Sequence, residues 1–343
     1  MKLFSSLVKN VKGWETKWQQ ATPKSPRVRL TLEQLEDRCM PSTLTELPGL
    51  PTANAAPTGI TTAVDGSIWF TEKNANQVAR LNPATGVVTE YNVPTAASAP
   101  DQITATPDGN VWFTERFGRK LSQISDAGGA ISEFAVPGTG AYPTAIATVG
   151  STVWFASADS AAAARLGRIS STGTITQLAT GATRTTITSI VGGPDANLWV
   201  TEVSSYWGDA VAKVVTTGFG RFTNYRLPNR SASPQSITVG ADNYLWFTEA
   251  GANKIGQIST AGAITEFALS AGSAPQQIVS GPDGALWFTE KGSNKIGRIT
   301  TTGVVTELTI NTGSSQPFGI TKGLDGKLWF TEQNGDKLGE IDV

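Results

Sequence analysis

The chain has 343 residues, one cysteine, no histidine and a formal charge of −1 at pH 7. The single cysteine, Cys39, excludes an intramolecular disulfide, and no stretch approaches the roughly 18 apolar residues of a membrane-spanning helix. The absence of histidine removes the commonest general base, so any catalysis needs a perturbed carboxylate, a lysine or a metal-bound water.

The first 41 residues differ in charge from the rest. They contain 8 Lys or Arg against 4 Asp or Glu, whereas residues 42–343 contain 19 against 24. Apolar side chains in residues 1–20 recur at helical intervals among lysines. This pattern predicts either an amphipathic basic helix on a membrane surface or a partner, or a frayed tail. The mildly acidic remainder argues against nucleic-acid binding.

Residues 29–42 (RLTLEQLEDRCMPS) follow this basic segment. They resemble the Leu-Glu-x-Leu-Glu-Asp-Arg tag found near the start of many large exported or surface proteins in some bacteria. The resemblance implies an exported bacterial protein, and a cytoplasmic location is the alternative.

Seven tryptophans recur after residue 42, at intervals of 43, 42, 45, 47, 41 and 42 residues. A period of about 40–45 residues indicates a propeller built from four-stranded blades. We therefore predict an all-β domain over residues 42–343, a monomeric seven-bladed β-propeller preceded by the tail of residues 1–41. We expect the tryptophans to pack between blades rather than form a ligand cage. The series is Trp69, Trp112, Trp154, Trp199, Trp246, Trp287 and Trp329.

The first complete unit shows how the sequence divides into strands. Residues 57–64, 67–72, 77–81 and 87–93 have the composition of four strands. Asp65-Gly66 predicts a two-residue hairpin between the first two, because these residues tolerate a positive φ.

The two ends of the repeat region complement each other. The last unit stops at residues 338–343, its third strand, and residues 43–48 match the fourth-strand phrase of the other units. We therefore predict that this N-terminal strand completes the last blade and closes the ring, which removes the exposed sheet edges.

The hairpin register predicts a rim on which ligands bind. It places Gly59 opposite Glu72. The residue after each blade's first proline therefore shares a rim with the last residue of the tryptophan phrase, the repeated segment that reads Ile68-Trp69-Phe70-Thr71-Glu72 in the first unit. The channel mouth is the default ligand site of such a ring. The glutamates either hold a metal or act in acid–base chemistry, or they cap backbone N–H groups of a neighbouring blade. They are Glu72, Glu115, Glu202, Glu249, Glu290 and Glu332.

Residues 281–290 (GPDGALWFTE), followed by 294–299 (NKIGRI), carry a family resemblance. Together with Thr306-Glu307 they resemble the repeat of virginiamycin B lyases, and the likeness extends over residues 42–343. It implies a seven-bladed propeller that linearises a cyclic depsipeptide antibiotic by elimination at its ester linkage. It also implies Mg²⁺, a histidine base, a role in antibiotic resistance, and a site on the rim of the last two blades.

The family's functional residues correspond to different side chains in this chain. The two histidine positions are Gln276 and Phe318, and the metal-associated glutamate position is Gln316. A further carboxylate of the last blade corresponds to Glu332 or Gln333. Because an amide and a phenyl ring cannot accept a proton near pH 7, the sequence departs from the family where its chemistry takes place.

Two functions therefore follow from the sequence. The first is a non-catalytic propeller that binds a small peptide-like or glycan ligand, or a protein, at the channel mouth. The second is a divergent Mg²⁺-dependent streptogramin B lyase, or another enzyme, that uses Glu332 or Asp101 as the catalytic carboxylate and Glu332 as a metal ligand. The predicted rim residues are Thr58, Asp101, Thr144, Thr188, Gln235, Gln276, Gln316 and Phe318.

Overall fold

The computed structural model describes residues 42–343 except 160–162, 180–183 and 217–219. The helix, the export tag and Cys39 of the tail lie outside the described residues. The described residues form seven antiparallel sheets of four strands each, which confirms the seven-bladed β-propeller. None of these residues belongs to a helix that is long and apolar enough to cross a membrane.

A short strand precedes the first blade, and blades one to six each use four consecutive strands. The first strand is β1 (Thr43–Glu46). Blade one contains β2 (Pro57–Thr62), β3 (Ile68–Glu72), β4 (Gln77–Leu81) and β5 (Val88–Asn92). Blade two contains β6 (Pro100–Ala105), β7 (Asn110–Glu115), β8 (Lys120–Ser125) and β9 (Ser132–Ala135). Blade three contains β10 (Tyr142–Val149), β11 (Thr152–Ala158), β12 (Ala164–Ile169) and β13 (Ile175–Ala179).

The remaining blades follow the same order. Blade four contains β14 (Thr185–Gly192), β15 (Leu198–Ser204), β16 (Ala210–Val215) and β17 (Arg221–Arg226). Blade five contains β18 (Pro234–Val239), β19 (Leu245–Glu249), β20 (Lys254–Ile258) and β21 (Ile264–Ala268). Blade six contains β22 (Pro275–Ser280), β23 (Leu286–Glu290), β24 (Lys295–Ile299) and β25 (Val305–Thr309). Blade seven contains β26 (Pro317–Lys322), β27 (Leu328–Glu332) and β28 (Lys337–Asp342).

The closure of the ring follows the prediction. Strand β1 pairs antiparallel with β28, with Leu44 opposite Ile341, so the N-terminal strand completes blade seven. In all seven blades the first strand of the hairpin contacts the equivalent strands of both neighbouring blades, as β2 contacts β6 and β26. These inner strands therefore surround the central channel.

The hairpin prediction was wrong in its length. The Ala63 N–H donates to the Ser67 carbonyl and the Gly66 N–H donates to the Ala63 carbonyl, which forms a three-residue loop. Of the Asp65-Gly66 pair only Gly66 has a positive φ, of 85°. The Asp65 carboxylate accepts a hydrogen bond from the Ser67 N–H at 2.9 Å. This bond favours the longer turn, because an Asp side chain readily accepts from the backbone two residues on.

The predicted pairing of Gly59 with Glu72 was also wrong. Pro57 lies opposite Glu72, and a β-bulge lies between Pro57 and Ile60. The longer turn and the bulge each displace the register by one residue in the same direction. Blade four lacks the proline, and Ile187 takes its place opposite Glu202.

The tryptophans pack between blades, as expected. Trp69 packs against Ile103 and Phe113 of blade two, and Trp329 packs against Ile60 of blade one. All seven are at most 9% exposed. Each indole therefore joins two neighbouring blades into one apolar layer, which contributes to stability in proportion to the buried area.

Polar side chains also connect the blades, at two distances from the channel. Near the channel, the Thr331 hydroxyl accepts from the Gly319 N–H and donates to the Thr58 carbonyl, which links blade seven to blade one. At the outer edge, Glu90 accepts from the backbone N–H and hydroxyl of Thr52. Glutamates of the outer strands thus cap backbone N–H groups, a role that the sequence offers as one alternative for the glutamates of the tryptophan phrase.

Candidate ligand-binding site

A cavity of about 460 Å³ opens at the channel mouth, and all seven blades contribute to its lining. Two other cavities, of about 450 and 420 Å³, lie near the hairpin turns and each involve only two adjacent blades. Ligand sites typically have volumes of about 300–1,000 Å³ and gather polar groups from several elements. The mouth is therefore the candidate site.

The threonine of the tryptophan phrase positions the mouth residues through their backbone. The Thr71 hydroxyl donates to the Asp101 carbonyl of the next blade at 2.6 Å. Thr248 donates to the Gln276 carbonyl at 2.7 Å, and Thr289 donates to the Phe318 carbonyl at 2.7 Å. In these blades the position after the proline is thus held by the preceding blade.

Uncharged polar groups make up most of the lining. Gln277 of blade six donates to Gln102 of blade two across the channel at 3.2 Å, so two amides meet between non-adjacent blades. The Thr188 hydroxyl donates to the Pro234 carbonyl at 2.7 Å. The other amide and hydroxyl side chains of the lining are Thr144, Thr186, Ser189, Ser233, Gln235, Ser236, Gln276 and Gln333. Such groups suit a ligand that offers hydroxyls, amides or carbonyls.

The charged residues of the lining gather on one side of the mouth. The Asp101 carboxylate lies 3.9 Å from the Lys73 ammonium and 4.0 Å from the Arg116 guanidinium. The Lys291 ammonium donates to the Gln333 side-chain oxygen at 2.9 Å and lies 5.4 Å from the centre of the Phe318 ring. Burial, and secondarily the nearby charge of Lys73, lowers the pKa of Lys291, and Asp101 partly opposes this effect.

Most of the rim residues predicted from the sequence come together in this cavity. It is lined by Asp101, Thr144, Thr188, Gln235, Gln276 and Phe318. Thr58 is instead fully buried and bonds to the Thr71 hydroxyl at 2.9 Å. Gln316 lies outside the lining, with a left-handed φ of 53°, and its carbonyl accepts from the Gln333 N–H at 3.2 Å.

Sequence reasoning missed the three cations of the mouth. Lys73, Arg116 and Lys291 each follow the glutamate that ends the tryptophan phrase, and so does Gln333. The sequence pattern could have revealed them. Successive side chains of a strand point to opposite faces, so the residue after each buried glutamate points away from the space between the blades.

The six glutamates of the tryptophan phrase lie beneath the mouth, not in its lining. Each is at most 3% exposed. Burial raises the pKa of Glu72 to about 8 and those of Glu202, Glu249 and Glu332 to about 7. Their hydrogen bonds within the described residues come from side chains, such as that of Asn224 to Glu202 at 2.9 Å. We therefore interpret them as buried acids of the fold.

The residues at the mouth do not suit Mg²⁺. This ion prefers carboxylate oxygens, and the lining offers one carboxylate, Asp101, beside two cations. The Gln333 oxygen already accepts from Lys291. Among the described residues no three His, Cys, Asp or Glu side chains are grouped to hold a metal.

Comparisons with known proteins agree with the fold. The sequence pattern of the "Virginiamycin B lyase family" matches residues 41–205 and 151–343 of this chain. A streptogramin B lyase structure is 32% identical, with a TM-score of 0.79 over 88% of this chain and 97% of that chain. No curated protein matches this chain.

Two structures of virginiamycin B lyase from Staphylococcus aureus are 33% identical to this chain, with TM-scores of 0.79. Each aligns over 88% of this chain and 99% of its own. One of them is a catalytically inactive histidine-to-alanine variant with quinupristin.

Proposed function

Because the chain belongs to the virginiamycin B lyase family, we propose that it retains a ligand-binding mouth and lacks the family's elimination reaction. The observation that carries this proposal is the pair Gln276 and Phe318. Both line the mouth, and neither side chain can accept a proton near neutral pH. Losing a general base costs about 10²–10⁴-fold in rate.

The ligand that fits the mouth best is a small peptide-like or glycan molecule. The lining combines many amide and hydroxyl groups with one aromatic ring, Phe318. Peptides and sugars offer matching donors and acceptors, and an aromatic ring packs against their apolar faces. The catalytically inactive Staphylococcus aureus variant was crystallised with quinupristin, which supports ligand binding without reaction in this family.

Quinupristin and Mg²⁺ test this proposal directly. Mass spectrometry of quinupristin incubated with the protein should show no ring opening above a protein-free control. A Gln276→Trp variant, which fills part of the cavity, is the matched control for binding at the mouth. Binding of a small peptide or disaccharide, measured by calorimetry, should be lost in Gln276→Trp.

One observation favours the divergent lyase as a second candidate. Asp101 places a carboxylate in the mouth, beside Lys73 and Arg116, where it could accept a proton. Ring opening by the wild type that disappears in Asp101→Asn would establish this activity and overturn the binding-only proposal. Glu332 is a weaker candidate base, because it is fully buried.

A further inference from the structure

Three cations occupy one side of the mouth, and we call Lys73, Arg116 and Lys291 the basic arc. They belong to blades one, two and six and occupy equivalent positions, directly after the glutamate of the tryptophan phrase. The equivalent residues of blades three, four and five are Ala158, Val203 and Ala250. Charge at this level is therefore confined to one half of the ring.

Within the described part of the chain, the residues around the basic arc do not neutralise it. Asp101 is the one carboxylate that these residues contribute to the lining, and three positive charges against one negative charge leave an excess of two. Its distances to Lys73 and Arg116, 3.9 and 4.0 Å, exceed those of charge-assisted hydrogen bonds, about 2.7–2.9 Å. Asp101 is therefore shared between two cations.

Lys291 is held in place although its charge is only partly compensated. Among the described residues, its ammonium group donates one hydrogen bond, to the Gln333 oxygen at 2.9 Å, and lies over the Phe318 ring. An ammonium group has three donors, so donors remain for a ligand. Like charges kept close together in a half-buried cavity repel each other, and an anion that binds among them relieves the repulsion.

We propose that the basic arc is an anion subsite that takes a carboxylate group of the ligand. This inference rests on the proposed function and specifies its ligand as acidic. The amide and hydroxyl groups on the opposite side of the mouth, including Thr144, Thr188 and Gln235, bind the neutral part. The carboxylate belongs either to a free peptide C-terminus or to a uronic acid.

Calorimetry with two matched pairs of probes tests the subsite and identifies the source of the carboxylate. The peptide pair is acetyl-trialanine with a free C-terminus and its amide, and the sugar pair is digalacturonate and galactobiose. We expect the acidic member of at least one pair to bind roughly tenfold more tightly than its neutral partner. Preference in the peptide pair alone indicates a C-terminus, and preference in the sugar pair alone indicates a uronate.

Variants locate the effect on the basic arc. Lys291→Met should weaken the acidic probe roughly tenfold and leave its neutral partner unchanged. Lys327→Met removes the same charge from a lysine paired with Glu340 outside the mouth, and it should leave both affinities unchanged.

Three results would overturn the subsite: equal affinity for acidic and neutral probes, no binding of either acid, or no effect of Lys291→Met. None of these is the result that overturns the proposed function, which fails if quinupristin is opened. Charge-independent binding that is lost in Gln276→Trp would leave the proposed function standing alone.

Discussion

Replacing Glu332 with glutamine tests whether this residue is a buried acid of the fold or a catalytic or metal-binding carboxylate. Glu332 is fully buried. Burial, reinforced by the charge of Glu46, raises the pKa of Glu332 from 4.5 to about 7. Glutamine has nearly the same shape and cannot ionise.

The sign of the effect follows from the direction of the shift. Because the pKa is higher in the folded than in the unfolded protein, the stabilisation from protonated Glu332 is fully present below pH 4.5 and is lost as the pH rises through about 7. A shift from 4.5 to about 7 corresponds to roughly 3 kcal/mol. Glu332→Gln should therefore exceed the stability of the wild type by at most roughly 1 kcal/mol at pH 5 and by up to roughly 3 kcal/mol at pH 9.

Urea denaturation followed by tryptophan fluorescence at pH 5, 7 and 9 measures this difference. Glu72→Gln in blade one is the matched control, and its difference should continue to grow to higher pH because the pKa of Glu72 is raised to about 8. Binding at the mouth should not change in Glu332→Gln. A stability difference that is flat with pH, or a loss of probe binding at unchanged stability, would refute the reasoning.

The remaining predictions concern the scaffold and the proposed loss of the elimination reaction. Thr331→Val removes the hydrogen bonds to Gly319 and Thr58 that close the ring and should lower the free energy of unfolding by about 1–3 kcal/mol in urea denaturation. The exposed control Thr302→Val should lower it little, and equal losses would contradict the interpretation. Trp287→Ala should cost about 3–5 kcal/mol, whereas Trp207→Ala, at a residue that is 50% exposed, should have a much smaller effect on the same curves. The triple variant Gln276→His, Gln316→Glu and Phe318→His should open quinupristin with Mg²⁺ at least roughly a hundredfold faster than the wild type, as followed by mass spectrometry; no gain would show that other residues also block the reaction.

The blade count and ring closure could be predicted because they depend on counting. Each tryptophan marks one blade, and β1 supplies the one strand that the last unit lacks. The hairpin register could not be derived, because Asp-Gly is compatible with both two-residue and three-residue loops. The bulge after Pro57 also leaves no clear mark in the sequence.

The candidate site was predictable in position but not in charge. Six of the predicted rim residues line the mouth, because the position after the proline lies at the same end of each blade. Which side of a strand faces the channel depends on the register. The prediction therefore emphasised Glu332, which is buried, and overlooked Lys73 and Lys291, which line the cavity.

The way in which the blades are joined explains how the fold tolerates different side chains at the mouth. The threonine hydroxyls bind the carbonyl groups of Asp101, Gln276 and Phe318, not their side chains. An acid, an amide and a phenyl ring are thus held by the same type of contact. Because the backbone bonds are unchanged by the side chain, replacing a histidine at the mouth leaves the ring-forming interactions intact. The mouth can therefore hold a neutral side chain in place of a proton-accepting one at little cost to the stability of the propeller.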